Sequence, residues 1–244
     1  MHCLHLDPGL APEAYLATED ALLDAADAGG DPVLCFWESN RPFVVVGFGQ
    51  SVEREVNLAA CRTEGIPVLR RQSGGGAVVQ GPGCLNYALV LRIEAESHLA
   101  TIGETNRWIM DRNRRALATL IGEGVAVRGH TDLALRGEDG SEKKVSGNAQ
   151  RRRRNALLFH GTLLHEPDVD RMTRWLRFPS LEPDYRHGRN HADFVAGIRQ
   201  SPTSLRDAWI REWDAETPET GPDPSQVLRG IELRYSLDSW NLRR

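Results

Sequence analysis

The spacing of apolar residues divides the chain into many short strands and a smaller number of helices. Residues 11–28 and 101–121 repeat apolar side chains at helical spacing, and glycines follow both segments. No regular alternation of strand and helix is visible, so the pattern predicts an α+β domain. Shorter helices are predicted at 57–65, 168–176 and 203–214, and strands at 33–37, 43–47, 67–70, 84–92, 125–127, 132–136, 143–150 and 156–164.

The last part of the chain differs in composition from the rest. From Glu216 it is rich in proline, threonine and glycine, and it becomes apolar again at 231–237. A length of 244 residues suits one large domain, or one domain with a small appendage. We therefore predict one domain over 1–215 and a C-terminal extension over 216–244 that is too short to form a full accessory domain.

Composition and charge narrow the class of protein. A chain that is 40% hydrophobic and 26% charged can bury a core and keep a soluble surface, and its net charge of -4 argues against general nucleic-acid binding. No apolar run approaches the roughly 20 residues of a membrane helix, and the first residues do not resemble a secretory signal. The four cysteines form no CxxC pair, which favours reduced thiols. We expect a cytoplasmic protein with no nucleic-acid or membrane partner.

Three consecutive glycines follow a predicted strand in the segment Arg70-Arg-Gln-Ser-Gly-Gly-Gly-Ala-Val-Val79. Glycines let the backbone approach a ligand and point N–H groups at it, and the paired arginines supply charge for a phosphate or carboxylate. Together they suit an acyl-adenylate, which joins an anionic phosphate to a long apolar tail. The alternative is a flexible turn with two solvated arginines. The two common nucleotide-binding motifs, GxxxxGK[ST] and GxGxxG after a strand, are both missing, so a nucleotide would need a different binding loop.

A second chemical segment, Lys143-Lys-Val-Ser-Gly-Asn-Ala-Gln150, precedes Phe159-His-Gly-Thr-Leu-Leu164 by one strand. A lysine on a strand, followed by small residues, can reach into a pocket and hold a carboxylate, a phosphate or a developing oxyanion. The alternative places the lysines on the surface of a hairpin and makes His160 a core histidine with its hydrogen bonds satisfied. The occurrence of both segments in one chain favours a ligand-binding site over these structural interpretations.

These segments resemble the lipoate–protein ligase A branch of the biotin/lipoate A/B protein ligase superfamily. That family carries an RRxSGGGxV segment, a glycine turn with a strand, an N-D-L segment, a K-V-S-G-x-A segment and an H-G-T-L-L segment. The resemblance spans about residues 30–200 and implies a class II synthetase-like catalytic domain, with mixed, mostly antiparallel sheets flanked by helices. The matching segments here, in the same order, are Arg70–Val78, Gly83–Tyr87, Thr131–Leu133, Lys144–Ala149 and His160–Leu164.

The resemblance also implies roles for individual residues. Lys144 matches the lysine that touches both the acyl carbonyl and the phosphate, and Asp132 matches an acidic residue near it. No metal ligand is predicted. Because these residues are expected to hold one ligand, the turn Arg70–Gly76 and the Lys144 side chain should border a single cavity, long enough for a fatty-acyl tail. The loop around the acyl-adenylate matches Arg70, Ser73, Gly74, Gly75, Gly76 and Ala77, and the pocket wall matches Ser146, Gly147, Ala149, His160, Gly161 and Thr162.

The implied reaction has two steps. Lipoate or octanoate attacks ATP, with Mg²⁺ assisting at the phosphates, to give an acyl-adenylate. A lysine of a lipoyl domain or of a glycine-cleavage H protein then accepts the acyl group. Positioning and charge stabilisation carry the catalysis without a protein nucleophile. The short C-terminus leaves open whether a separate accessory subunit assists, and the chain itself is expected to be a monomer.

Two departures from the family pattern keep other functions open. Gln80 stands where the family often has histidine, and Gln80–Gly83 resembles in part the HGPG turn of octanoyltransferases, which use a cysteine thiolate. In one transferase branch that cysteine lies just before the segment matching Asp132, where this chain has Arg128–Thr131. An octanoyltransferase or lipoyl amidotransferase is thus the nearest alternative. A non-catalytic lipoate-binding protein is a further one, and the GRGRxG-type loop of biotin ligases is not found.

Four adjacent arginines, Arg151–Arg154, form a separate basic cluster. The acidic chain and the lack of interleaved aromatic residues argue against a nucleic-acid site. A solvated loop is one interpretation. A docking patch for an acidic acceptor domain, or a clamp on the adenylate loop, is another.

Overall fold

The computed structural model describes residues 1–94, 97–137, 140–215 and 221–243. Its strands are β1 His2–His5, β2 Val33–Trp37, β3 Phe43–Val46, β4 Val68–Arg70, β5 Val78–Gln80, β6 Cys84–Arg92, β7 Val125–Arg128, β8 Asp132–Arg136, β9 Glu142–Arg152 and β10 Ala156–Leu164. Its α-helices are α1 Pro12–Asp27, α2 Val52–Glu55, α3 Leu58–Thr63, α4 Ile102–Ile121, α5 Val169–Trp175, α6 His191–Phe194, α7 Pro202–Trp213, α8 Pro224–Gly230 and α9 Asp238–Asn241. A 3₁₀ turn covers Asp184–Arg186 and a π turn covers Ile231–Tyr235.

The strands form two sheets. The larger has the order β1-β2-β6-β10-β9-β8-β7, and the smaller has the order β4-β3-β5. Pairing is antiparallel except between β1 and β2 and between β3 and β4. The α+β class with mostly antiparallel sheets is therefore confirmed. β1 was not predicted, because four residues with one apolar alternation carry little signal on their own.

Both faces of the large sheet are buried at its central strands β2, β6 and β10. Strand β6 alternates as predicted, since Leu85, Tyr87, Leu89 and Leu91 pack in one cluster with α4 and α7. The opposite face, including Ala88 and Val90, packs in a second cluster with α1. Helix α1 begins with Pro12 in its first turn, where the missing N–H costs nothing. The sheet is thus the middle layer between α1 and the pair α4–α7.

The C-terminal segment, which we define as residues 221–243, is helical and packs on the same body. Val227, Ile231 and Trp240 lie against the cluster that contains α1, and Tyr235 is buried within it. Residues 216–220 and 244 lie outside the described residues. The predicted boundary at 215/216 stays a prediction, but the segment after it is part of the packed structure. No helix in the described ranges is both long and apolar enough to cross a membrane.

Candidate active site

The two chemical segments found in the sequence border one cavity. It has a volume of about 770 Å³, and residues of both sheets line it. Arg71, Gly75 and Gly76 approach from the smaller sheet, while Lys144 approaches from β9. The predicted proximity of the glycine turn and the lysine therefore holds in the structure.

A row of side chains across β6, β10, β9 and β8 forms one wall of the cavity. The register pairs Asn86 with Thr162, Thr162 with Gly147, and Gly147 with Asp132. Cross-strand neighbours lie about 5 Å apart, so these four residues stand side by side on one face. The missing side chain at Gly147 leaves a gap in this row, and the end of Lys144 occupies it. A Cβ atom at Gly147 would lie 2.7 Å from both Cε and Nζ of Lys144.

Lys144 is held in that gap by a carboxylate. Its Nζ lies 2.8 Å from Oδ1 of Asp132, and the two side chains are 28% and 13% exposed. The hydroxyl of Tyr185 donates to the other oxygen, Oδ2, at 2.9 Å. Burial, followed by the negative charge of Asp132, raises the pKa of Tyr185 well above its usual range, so Tyr185 remains a donor. The end of the lysine is therefore oriented by Asp132 and open to a ligand on its cavity side.

The glycine loop, which we define as residues 73–77, rests against the end of β3. A Cβ at Gly47 would lie 1.9 Å from the carbonyl oxygen of Gly75, so only glycine permits this approach. Gly75 itself has φ of 86°, in the left-handed region. The Arg71 guanidinium donates to the carbonyl oxygens of Gly74, at 2.6 Å, and Gly76, at 2.9 Å. Burial lowers the pKa of Arg71 to about 10, so its positive charge is retained at neutral pH.

A buried hydrogen-bonded chain links α1 to the glycine loop. Oε2 of Glu19 lies 2.5 Å from Nδ1 of His160, and Nε2 of His160 lies 2.6 Å from Oγ of Ser73. Trp37 donates to the other Glu19 oxygen at 2.8 Å, and Arg71 Nε donates to Ser73 Oγ at 3.0 Å. This Glu–His–Ser order resembles a hydrolase triad. Ser73 is only 1% exposed, however, so its hydroxyl fixes the loop and does not act as a nucleophile.

A second polar cluster consists of Gln80, Asn86 and Thr162. Gln80 donates to Thr162 Oγ1 at 2.8 Å, Thr162 donates to Asn86 Oδ1 at 2.7 Å, and Asn86 donates to Gln80 Oε1 at 2.9 Å. Each of the three buried side chains thus both donates and accepts within a closed ring. The ring gives the cavity a rigid polar wall, because a fully satisfied buried network has few alternative arrangements.

Apolar side chains from two core clusters line the remaining surface. Leu16, Trp37 and Val45 belong to the cluster beneath α1. The other group lies beside α5 and α6. His191, at the start of α6, and Arg177 and Arg186, in the segment between the two helices, also line the cavity. The apolar group beside α5 and α6 consists of Val79, Leu164, Met172, Leu176, Phe194 and Val195. The cavity therefore has one mainly apolar region and one region that combines apolar surface with cations.

Most of the residues proposed from the sequence line this cavity, but four do not. Arg70 is fully buried on the other side of β4, and in the described part of the chain its guanidinium donates to backbone carbonyls. Ser73 and Ser146 are buried against His160 and Asn148, and Gly74 contributes a carbonyl to Arg71. Arg70, Ser73 and Gly74, predicted in the loop around the acyl-adenylate, and Ser146, predicted in the pocket wall, therefore do not reach the cavity surface. The predicted residues that line the cavity are Gly75, Gly76, Ala77, Asp132, Lys144, Gly147, Ala149, His160, Gly161 and Thr162.

Arg71, Glu19 and Tyr185 belong to the site but were not predicted from the sequence. Arg71 occupies the place assigned to Arg70, since neighbouring residues at a strand end point to opposite sides. Glu19 had a detectable signal, because Leu16, Glu19 and Leu23 share one helix face and a carboxylate there must be buried. Tyr185 lies in a loop region whose sequence gave no sign that it would approach Asp132.

The basic cluster Arg151–Arg154 is largely engaged within the chain. Arg152 donates to the carbonyls of Leu99 and Ala100, and Arg153 pairs with Asp24 at 2.9 Å. The guanidinium of Arg151 lies 5.8 Å from the ring centre of Phe48. Arg152 and Arg153 are thus held by other parts of the chain, and the docking patch for an acidic acceptor domain stays a prediction.

None of the described cysteines lines the cavity. All four cysteines are buried thiols within the described residues. Burial raises the pKa of Cys84 to about 12, which makes it a packed side chain and not a nucleophile. In the ranges that the structure covers, no group of three or more His, Cys, Asp or Glu side chains is arranged to hold a metal ion.

A family model of the lipoyl protein ligase A/B catalytic domain matches residues 11–217. The chain belongs to this family. Lipoate-protein ligase A subunit 1 of Thermoplasma acidophilum is 26% identical over 93% of this chain and 90% of its own length. A putative lipoate-protein ligase A of Aeropyrum pernix is 32% identical over 81% of this chain and 67% of its own. Octanoyltransferase LipM of Carboxydothermus hydrogenoformans is 32% identical over 70% and 67%.

Solved structures agree with this membership. A structure described as a bi-partite lipoate protein ligase and its E2 lipoyl domain from Thermoplasma acidophilum matches with a TM-score of 0.84 and 25% identity, over 100% of this chain and 97% of that chain. A lipoate-protein ligase A bound with ATP shares the fold, with a TM-score of 0.82 and 24% identity over 99% and 98%. The lipoyl protein ligase family is thus confirmed, and its named members are enzymes of either the ligase or the octanoyltransferase type.

Proposed function

We propose that this chain is an ATP-dependent lipoate–protein ligase. In this account it converts lipoate or octanoate to an acyl-adenylate and transfers the acyl group to a lysine of a lipoyl domain or H protein. The observation that supports this most strongly is the placement of Lys144 and the glycine loop on one largely apolar cavity of about 770 Å³. That combination suits a ligand with one anionic phosphate and a long hydrocarbon chain.

Lys144 is the proposed electrostatic centre. Its ammonium is oriented by Asp132 and still faces the cavity, so it can contact both the acyl carbonyl and the phosphate that becomes attached to it. As negative charge develops at the attacked phosphorus and later at the acyl carbon, a pre-oriented cation stabilises it without reorganisation. The backbone of Gly75 and Gly76 offers a close approach to the same phosphate.

The two regions of the cavity suit the two halves of the ligand. We assign the acyl tail to the region of Leu16, Trp37 and Val45, where the one carboxylate, Glu19, is already fully hydrogen-bonded. We assign the nucleotide to the region near Met172 and Phe194, because Arg177 and Arg186 there can balance phosphate charge.

The residues present fit a magnesium ion carried in with the nucleotide. Mg²⁺ commonly uses one or two carboxylates together with substrate phosphates and water. Asp132 is the cavity carboxylate beside Lys144 and would supply that ligand. When bound, Mg²⁺ neutralises phosphate charge during attack by the carboxylate of the fatty acid.

The positions of the cysteines favour a ligase over a thiol-dependent transferase. None of the four lines the cavity, and Cys84, which is nearest in sequence to the glycine loop, is 3% exposed. A transferase that forms an acyl-thioester would need an accessible thiolate. Octanoyltransferases nevertheless occur among the relatives, so the test below includes their reaction.

The partners we propose are a lipoyl-type acceptor and a separate accessory subunit. A relative that this chain matches over 90% of its length is named subunit 1, and a matching structure is described as bi-partite with an E2 lipoyl domain. Apart from that subunit we propose a monomer, acting in the cytoplasm where its four buried thiols stay reduced.

Two parallel reactions test the proposal. In the first, the protein is incubated with an apo lipoyl domain, lipoate or octanoate, ATP and Mg²⁺, and the intact mass of the acceptor is followed. In the second, octanoyl-acyl-carrier protein replaces the fatty acid and ATP. We expect acylation in the first reaction, or there after addition of preformed lipoyl-adenylate if an accessory subunit is required for activation. Acylation confined to the second reaction would establish the transferase instead.

A further inference from the structure

Arg70 is an unusual buried cation, because no carboxylate of the described residues pairs with it. Its side chain is fully buried and donates to five carbonyl oxygens of the backbone. Three of these belong to the loop after β3, which we call the β3 loop (residues 47–50), at 2.9, 3.1 and 2.7 Å. The other two belong to Trp240, at 3.2 Å, and Arg243, at 2.5 Å. One guanidinium therefore joins the β3 loop to the end of the chain.

Side chains of the C-terminal segment also bond to the backbone of Arg70 and of the β3 loop. The indole N–H of Trp240 donates to the carbonyl oxygen of Arg70 at 2.8 Å, and the Arg70 N–H donates to Oδ1 of Asn241 at 3.1 Å. Arg243 donates to the carbonyl of Phe48 at 3.1 Å, and its guanidinium lies 4.2 Å from the ring centre of Phe48. The last helix thus caps β4 and the β3 loop together.

The β3 loop is the surface on which the glycine loop rests. Phe48 N–H donates to the carbonyl oxygen of Ser73 at 2.8 Å. Gly47 packs so closely on Gly75 that a Cβ would fall 1.9 Å from its carbonyl oxygen, and Gln50 lines the cavity. A displacement of the β3 loop would therefore move the glycine loop with it.

The C-terminal segment also reaches the opposite side of the cavity, through α1. Tyr235 donates to Oδ2 of Asp20 at 2.5 Å, and Arg234 pairs with the same oxygen at 2.8 Å. Asp20 follows Glu19, which contacts His160 and Trp37. The segment is thus bonded on either side of the site, at residues adjacent in sequence to Arg71 and to Glu19.

We propose that Arg70 and the C-terminal segment form a clasp that positions the glycine loop for the acyl-adenylate, with Arg70 acting as a positioning residue. This inference rests on the proposed function, since it assigns the clasp to the same ligand. It also gives the first arginine of the Arg70–Arg71 pair a role distinct from the second. Removing the guanidinium would take one donor from each of five buried or part-buried carbonyls, of which Phe48 keeps its bond from Arg243 and Gly47 its bond from the Gln50 N–H. The β3 loop can then regain hydrogen bonds by moving toward water.

The test uses three full-length variants. Arg70→Met removes the central donor, Tyr235→Phe removes one hydroxyl at the far end of the clasp, and Arg229→Met is the control. Arg229 is an exposed arginine on α8 within the same segment. For each protein we would measure the Kd for lipoyl-sulfamoyl-adenosine, a non-hydrolysable adenylate analogue, by calorimetry. Hydrogen exchange over residues 72–77 and thermal unfolding would be recorded in parallel.

At temperatures where each variant is folded, Arg70→Met should weaken analogue binding at least tenfold and accelerate exchange in the glycine loop. Tyr235→Phe should weaken binding by about two- to fivefold, and Arg229→Met should match the wild type. If Arg70→Met does not fold, Arg70→Lys and Tyr235→Phe carry the test. A folded clasp variant with wild-type Kd and wild-type loop exchange would overturn the inference, even if its Tm is lower.

The exchange measurement separates this inference from the proposed function. If the wild-type protein does not bind the adenylate analogue, the proposed function fails. Faster exchange in the glycine loop of the Arg70→Met protein would still support the clasp, and unchanged exchange would contradict it.

Discussion

Gly147→Ala tests the position of Lys144 by adding a single methyl group beside it. The new Cβ would lie 2.7 Å from Cε and Nζ of Lys144 and 3.6 Å from Oδ1 of Asp132. Carbon atoms in contact prefer about 3.5–4.0 Å, so the end of the lysine must withdraw by about 1 Å. The Nζ–Oδ1 contact of 2.8 Å then lengthens, and the ammonium leaves the place where the phosphate is expected.

This change should affect catalysis far more than stability. A lysine side chain is flexible, and a partly exposed ion pair contributes only about 0–1 kcal/mol. Replacing glycine by alanine in a strand also recovers about 0.5–1 kcal/mol of backbone entropy, and the φ of Gly147 is not positive. We therefore expect a Tm within about 3 °C of the wild type. A displacement of about 1 Å can cost about 100-fold in rate, equivalent to about 2.7 kcal/mol of barrier.

The assay is lipoate-dependent ATP–pyrophosphate exchange, together with acyl transfer from preformed lipoyl-adenylate. Gly103→Ala provides the matched control, since a Cβ at that position in α4 meets only Arg107 Nη1 at 3.7 Å. The control should keep full activity and an equal or slightly higher Tm. Wild-type rates in the Gly147→Ala protein would refute the assignment of Lys144, and a large fall in Tm would refute the structural reasoning.

Three further predictions follow from individual residues. Gly161→Ala places a Cβ 1.6 Å from Asn148 Oδ1, so we expect a loss of at least about 2 kcal/mol in a denaturant titration, and an unchanged midpoint would contradict this. Cys84→Ala should keep ATP-dependent acyl transfer within about twofold, and complete loss in a folded protein would point to thioester chemistry. Burial, followed by the charge of Arg186, lowers the pKa of His191 from 6.5 to about 4. The unfolded chain therefore binds this proton first, and stability falls as pH decreases from about 6.5 to 4. His191→Gln should reduce that fall by on the order of 1–2 kcal/mol after solvent screening, as measured by Tm against pH.

The periodic spacing of apolar residues predicted the strands and helices that pack most regularly into the core. β6 and β10 are long, and every second side chain enters a cluster, so their pattern is unambiguous. Helix α4 carries both an apolar face and a cap at Thr101, whose hydroxyl accepts from the Glu104 N–H at 3.2 Å. The helices of the C-terminal segment were not predicted, because a π turn interrupts them and only scattered residues face the core.

The motifs identified the site but did not fix the direction of every side chain. Adjacent residues on a strand point to opposite faces, so a pattern with two arginines cannot show which one enters the cavity. The structure places Arg71 at the cavity and Arg70 behind it. Tyr185 contacts Asp132 across 53 residues of sequence, which leaves no local spacing to detect. Glu19 contacts His160 across 141 residues, and only its place on the apolar face of α1 marks it as a buried carboxylate.

A crystal structure of the protein with lipoyl-sulfamoyl-adenosine would test the central claim most directly. We expect the sulfamoyl oxygens and the acyl carbonyl within about 3 Å of Nζ of Lys144, at hydrogen-bond distance. The glycine loop should contact the same group, and the tail should lie against Trp37. An analogue bound elsewhere, or bound in this cavity with its sulfamoyl group away from Lys144, would contradict the account.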